Sequence, residues 1–349
     1  MKVKIITIMV GLLIANFNAF SQEIKELREA EIVSGKEFWD LYAVIDSLKK
    51  TDTNSAIIKL EYTFSKTANE YTRCKIMEEL GPLYTSTKQF EKCLKMNEVL
   101  INSGISVYFQ YWGETYPEYT KCFEGNEKFV SLLNRNNQLV KEASNSSKAA
   151  YYIQKPENFK EGIRYPLFMV FPGGIGCIQD MQNFWNSAKL NKEFIVAFVQ
   201  GRDFKCTYNL SYGENAITDM KNIYEKITED YLIDTTKVIL AGPSAGGMFA
   251  IDLAINKHIN ARGLILAFPV KPDNFNAHNI LDAGLNGLRV SMICGENDWA
   301  IMSQKEMSVI FDKLGVKNRL LIFPELGHDF PKDFSNQIDN SIDYIRIIN

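Results

Sequence analysis

Apolar positions along this chain follow two rules, one on each side of residue 149. On the amino-terminal side they recur every three to four residues. Phe38, Leu41, Tyr42, Ile45 and Leu48 fall at i, i+3, i+4, i+7 and i+10, one face of a helix. Ile57, Leu60, Phe64 and Ala68 repeat the pattern, and Tyr71, Cys74, Met77 and Leu80 continue it up to Gly81-Pro82. A further segment from Phe90 to Ile101 ends near Gly104. From residue 149 on, apolar residues come in short unbroken runs bounded by turn residues, alternating with amphipathic stretches. The runs are Tyr165 to Phe171, Phe194 to Gln200, Val238 to Leu240, Arg262 to Val270, Leu288 to Cys294 and Arg319 to Phe323, with a weaker edge candidate from Ala149 to Gln154. The amphipathic stretches are Glu214 to Tyr231, Ser303 to Leu314 and Pro331 to Ile348. Buried strands alternating with helices predict an α/β fold, a mostly parallel sheet with helices on both faces.

Glycine and proline sharpen that division. Six Gly and two Pro precede residue 150, against fifteen and eight after it, so tight turns concentrate in the second part and the first should be all-α. The polar stretch Asn145 to Lys148 reads as the linker. The expected organisation is a signal peptide over residues 1–21, a helical domain over 22–148 and an α/β domain over 149–349. Lys2 and Lys4 precede an apolar run, and the small residues Ala19 and Ser21 stand at −3 and −1 of a cut before Gln22. Asn16 and Asn18 inside the run favour cleavage over retention as an anchor. The mature chain is therefore expected to be secreted or periplasmic and free of the membrane.

An exported chain can form disulfides. Cys177 and Cys206 both follow predicted strands and could pair, whereas Cys294 sits in an apolar strand and reads as a buried thiol. The cysteine spacings fit no zinc pattern. A net charge of −3 gives no support to nucleic-acid binding.

The candidate chemistry gathers at the ends of the apolar runs. Val238-Ile239-Leu240 leads into Gly242-Pro243-Ser244-Ala245-Gly246 and then directly into a helix-compatible stretch. Strand, sharp turn and helix are the setting in which a G-x-S-x-G serine becomes a nucleophile. Such a serine needs a base and a group to orient that base. Of the three histidines, His328 follows the last strand and falls on the same sheet edge as Ser244. His258 lies at a helix end, and His278 in a loop without strand context. Cys294-Gly295-Glu296-Asn297-Asp298 offers the acid: Asp298 is far enough past the strand to turn back toward His328, with Glu296 as fallback. Asp329 adjoins the base and should point away from it. Backbone donors for an oxyanion are expected from Ala245 and from Gly174 or Ile175 in the Gly-rich turn Pro172 to Gly176.

PGGIG, GPSAGG, GEND and ELGHD, in that order, make the stretch from Ala149 to Asn349 resemble the α/β-hydrolase family. It looks closest to secreted esterases of the polyhydroxybutyrate depolymerase and feruloyl esterase type, and to dienelactone-hydrolase-like and prolyl-oligopeptidase-like domains. Phe171-Pro172 departs from the His-Gly frequent in the oxyanion loops of lipases and esterases. The resemblance implies a serine hydrolase that cleaves carboxylic esters through Ser244, His328 and Asp298 and an acyl-enzyme, with no metal or cofactor needed. Lys271 to Gly287 is too short for a large helical lid, which favours a small acyl or carbohydrate-linked ester over a lipid interface. Trp185, Tyr212 and Trp299, with Phe204 and Tyr208, are the aromatic candidates for lining the site. The activity should fall as pH drops through about 6.5, where an ordinary histidine takes up a proton. The alternatives are a prolyl-oligopeptidase-like serine peptidase and a binding protein on a hydrolase scaffold. Thr85 to Gly104 looks loosely like half of a tetratricopeptide repeat, so the helical domain is a candidate surface for a protein or peptide partner. The aromatics from Tyr108 to Tyr119 read as packing.

Overall fold

The computed structural model describes residues 35–104, 121–146, 149–174, 176–201 and 215–347. The expected signal peptide, the aromatics from Tyr108 to Tyr119, the linker residues Ser147 and Lys148, and Ile175, Phe204, Cys206, Tyr208 and Tyr212 lie outside the described residues. The described residues form two compact units, divided in sequence between Lys148 and Ala149.

The first unit holds α1 (Lys36–Thr51), α2 (Thr53–Lys66), α3 (Glu70–Ser86), α4 (Phe90–Asn102) and α5 (Glu127–Ser146). Each helix packs on the next, and α1 also reaches α3. The three-to-four period supplies the packing face: Phe38, Leu41 and Ile45 of α1 and Ile57 and Leu60 of α2 are buried. Asp52 accepts from the N–H groups of Asn54 and Ser55 and so starts α2, and Asn69 starts α3 in the same way through Thr72.

Two boundaries differ from expectation here. Helix α3 does not end at Gly81-Pro82 but runs four residues further, to Ser86. A proline inside a helix costs about 3 kcal/mol. Burial of Leu83 and Tyr84 opposes that cost, at about 1.5–3 kcal/mol for a large apolar side chain. The Tyr84 hydroxyl also donates to Glu61 Oε1 at 2.8 Å. Helix α5 likewise takes in Asn145 and Ser146 from the expected linker.

The second unit is built on seven strands: β1 (Ala150–Gln154), β2 (Tyr165–Val170), β3 (Ile195–Gln200), β4 (Ile233–Pro243), β5 (Gly263–Ala267), β6 (Arg289–Gly295) and β7 (Lys317–Phe323). Their order across the sheet is β1-β3-β2-β4-β5-β6-β7. Only β1 is antiparallel, and it forms one edge. Every residue of β3, β5 and β6 is buried, so both faces of the sheet are covered, as the unbroken apolar runs require. The α/β fold with a mostly parallel sheet, preceded by a helical region, is therefore the one the sequence predicts.

The connecting helices are α6 (Ile178–Phe184), α7 (Ala188–Glu193), α8 (Ala216–Asp230), α9 (Ser244–Ile255), α10 (Ala277–Leu285), α11 (Ile301–Lys313) and α12 (Phe334–Arg346). Helix α9 packs on β4 and β5, α12 on β5 and β6, and α11 on β6 and β7. The short helices α6, α7 and α10 had no visible period, because six to nine residues barely complete two turns. His278 thus belongs to α10, whose start Asn276 caps. Strand β5 stops at Ala267, short of Val270, because Phe268 turns the chain with φ +39°.

Candidate active site

Parallel strands deliver their carboxyl ends to one edge, and four of them meet there. Strand β4 ends at Pro243, and Ser244 opens α9 with φ +48°. A non-glycine residue in that region stores strain, roughly 1–3 kcal/mol. The surroundings hold it there. A Cβ on Gly242 would stand 2.6 Å from the Phe171 carbonyl oxygen, and one on Gly246 2.2 Å from the same atom. The end of β2 therefore crosses the turn at a distance that only glycine permits on both sides.

Ser244 Oγ lies 2.9 Å from His328 Nε2, and His328 Nδ1 lies 2.9 Å from Asp298 Oδ1. Ser244 stands at the junction of β4 and α9, and Asp298 and His328 come from the loops after β6 and β7. The β6 and β7 loops are locked by backbone bonds: Glu296 N–H donates to Phe323 O at 2.9 Å, and Asn297 N–H to Leu326 O at 2.8 Å. A Cβ on Gly295 would sit 2.2 Å from the Leu326 and Gly327 oxygens, so this approach too needs glycine.

The Asp298 side chain has no exposed surface, whereas His328 keeps 23%. A buried carboxylate needs donors. Asp298 Oδ1 accepts from the Ala300 N–H at 2.8 Å as well as facing His328, and Oδ2 accepts from Gln304 Nε2 at 2.8 Å. The alternative acids are engaged elsewhere. Glu296 Oε2 accepts from the Glu325 N–H at 3.3 Å, and Asp329 Oδ1 from the Phe330 N–H at 2.7 Å. Burial, with the Asp298 charge behind it, pushes the neighbouring Cys294 thiol well above its ordinary range.

Aromatic rings fix the imidazole from two directions. Phe268 meets His328 edge-on at 4.6 Å between centroids, and Trp299 lies over it at 5.0 Å with a 32° tilt. Phe330 joins Phe268 at 4.9 Å and stacks on Phe184 at 4.3 Å.

The residues expected to supply donors fare differently. Ala245 lies in the first turn of α9, where backbone N–H groups have no partner within the helix. Gly173 is the glycine of the β2 loop nearest the serine: a Cβ there would lie 3.9 Å from Ser244 Cβ. Gly174 is exposed with open space around it, and Ile175 lies outside the described residues.

Of the proposed lining aromatics, Trp299 is 71% exposed beside His328. Trp185 is not a lining residue. It is 1% exposed and packed in the core against Phe334 and Phe168, with ring centroids at 5.0 and 5.9 Å, because α6 turns its apolar side onto the sheet. Tyr212 lies outside the described residues. Cys177 begins α6 with its Sγ 3.2 Å from Asp180 Oδ2, and its suggested partner Cys206 lies outside the described residues.

Two residues of the site escaped the sequence reading. Phe268 reads as one more apolar residue of its strand, with nothing to mark its left-handed turn. Gln304 carried a signal: it shares an apolar helical stripe with Met307 and Phe311, and a glutamine on such a face must find partners.

No family model matches the chain, and no curated protein matches it. Among solved structures it is similar to an uncharacterised protein from Bacillus cereus ATCC 10987, with 17% identity and a TM-score of 0.49 over 90% of this chain and 99% of that one. It is similar to the Bacillus cereus carboxylesterase, with 15% identity and a TM-score of 0.44 over 59% of this chain and 98% of that one. A putative dipeptidyl aminopeptidase IV from Bacteroides ovatus ATCC 8483 is similar at 16% identity and a TM-score of 0.46, over 58% of this chain and 34% of that one. These likenesses are distant and concern the arrangement of strands and helices.

Proposed function

We propose that this protein is a serine hydrolase that cleaves carboxylic esters. The observation that carries the reading is the unbroken relay of two 2.9 Å contacts from Ser244 Oγ through the His328 ring to buried Asp298. A hydroxyl in that position can lose its proton to Nε2 as its oxygen bonds to a carbonyl carbon. Asp298 then faces the imidazolium through Nδ1 and holds the tautomer. The carbonyl oxygen takes the negative charge, and the Ala245 N–H with a donor from the Pro172 to Gly176 loop stabilises it. Collapse breaks the carbon–oxygen bond of the ester, and the departing alkoxide takes the proton from Nε2. Water repeats the sequence on the acyl-enzyme and returns the serine.

The leaving group departs on the His328 side, where Trp299 offers an exposed indole. A small acyl or carbohydrate-linked ester suits that open approach. The site acts after export of the mature chain, and the helical unit serves a protein or peptide partner.

Turnover of short-chain p-nitrophenyl, acetyl-carbohydrate and feruloyl esters, measured beside dipeptidyl amides, tests the reading. Ester hydrolysis lost in Ser244→Ala supports it. Amide cleavage without ester preference would assign the same machinery to a peptidase, and wild-type activity retained by Ser244→Ala would overturn the mechanism.

A further inference from the structure

We infer that Gln304 is a positioning residue for the proposed relay: its side-chain amide holds Asp298 in the one orientation that faces His328. The inference rests on the reading of Ser244, His328 and Asp298 as a catalytic relay.

Gln304 lies in the first turn of α11, fully buried, six residues after Asp298. Its Nε2 donates twice, to Asp298 Oδ2 at 2.8 Å and to Pro269 O at 3.2 Å. Both partners are acceptors, so the amide nitrogen, and not its oxygen, must face them. Its Oε1 is buried without a partner among the described residues, an unsatisfied acceptor that opposes folding. A methionine or leucine would fill the same space without leaving that atom unsatisfied.

The geometry shows what the amide does. Asp298 can rotate about its Cβ–Cγ bond, and a rotation would carry Oδ1 away from His328 Nδ1. The Ala300 N–H pins Oδ1, and Gln304 pins Oδ2 from the other end of the carboxylate. Through Pro269 O the same amide ties this loop to the turn after β5, which carries Phe268 against the imidazole. One side chain thus couples the acid to the ring that packs on the base. His328 contacts Asp298, the Asp298 charge bears on the Cys294 thiol, and the Lys271–Glu306 pair (2.7 Å) bridges the turn after β5 to α11.

Two variants separate positioning from packing. Gln304→Met keeps the volume and removes the donor, and Gln304→Glu keeps the shape but replaces the amide with a carboxyl that must share a proton with Asp298, since two carboxylates at that distance cannot both ionise. Positioning predicts that Gln304→Met lowers kcat on p-nitrophenyl acetate by about 10–100-fold with KM nearly unchanged, as for hydrogen-bond partners one step removed from reacting groups. Gln304→Glu should lower kcat less than Gln304→Met, because the shared proton still bridges to Oδ2. The low-field Nδ1–H proton resonance of His328, one of only three histidines, reads the Asp298 contact without turnover. It should be displaced in both variants.

Folded variants, checked by thermal melting, with wild-type kcat and an unmoved resonance would overturn the inference. A displaced resonance in either variant supports it even where the other fails to fold. Failure of the hydrolase reading shows separately, as a wild-type chain that turns over no ester whatever the resonance does.

Discussion

The two arms of the site are held by different means. The arm that carries Ser244 is held by backbone sterics: a strained φ of +48°, two glycines, and the Phe171 carbonyl wedged where any Cβ would collide. The arm that carries Asp298 and His328 shares such backbone control at Gly295, but its two side chains are oriented by other side chains, with Gln304 on Asp298 and Phe268 and Trp299 around His328. Steric control is all-or-none and protects the fold and the Ser244 turn together. Control by hydrogen bonds and ring packing can be loosened by degrees, so it is where function should be separable from stability.

Substitutions that break each arm should show that difference. The largest effect is expected at Gly246. A Cβ there would stand 2.2 Å from a backbone oxygen that no rotamer can move, so Gly246→Ala should destabilise the chain by about 4 kcal/mol or more, read by urea or thermal unfolding. In the other arm, Asp298→Asn should lower kcat by about ten-thousand-fold while the melting temperature changes far less, because the amide supports the wrong imidazole tautomer. Equal losses of stability in the two variants would erase the distinction.

A smaller effect concerns pH. The Cys294 thiol stays neutral in the folded protein, since burial raises it, but ionises near pH 8.5 once unfolded. Its contribution to stability is therefore complete below about pH 8.5 and is lost as pH rises further. Cys294→Ala is less stable at pH 7, and its deficit against the wild type should narrow at pH 10 in urea unfolding. A deficit that is constant or widens would contradict the assignment. The smallest effect belongs to Glu296→Gln, which touches the Glu325 N–H rather than His328 and should change stability by less than about 0.5 kcal/mol and leave kcat alone.

How much of this was legible in the sequence follows the same division. The Ser244 turn was readable because steric control leaves glycines at fixed spacing, and Gly242 and Gly246 flank Ser244 in the sequence as they do in space. The sheet was readable because strands buried on both faces are unbroken apolar runs. The choice of Asp298 over Glu296 followed from reach along the loop. Gln304 was harder, since its contact with Asp298 exists only once α11 folds back over the loop. Trp185 was misplaced for the opposite reason. Its neighbours mark a loop, and only the packing of α6 shows that its ring enters the core. Gly81-Pro82 misled because a local breaker was overruled by burial of Leu83 and Tyr84 beyond it.

The central claim is that Ser244 is an activated nucleophile. Incubation of the wild-type chain with a fluorophosphonate probe, followed by peptide mass analysis, tests it most directly. The account predicts one adduct, on the peptide that carries Ser244, absent in Ser244→Ala and lost or greatly slowed in His328→Ala. A folded chain that takes up no probe, or takes it up on another residue, would contradict it.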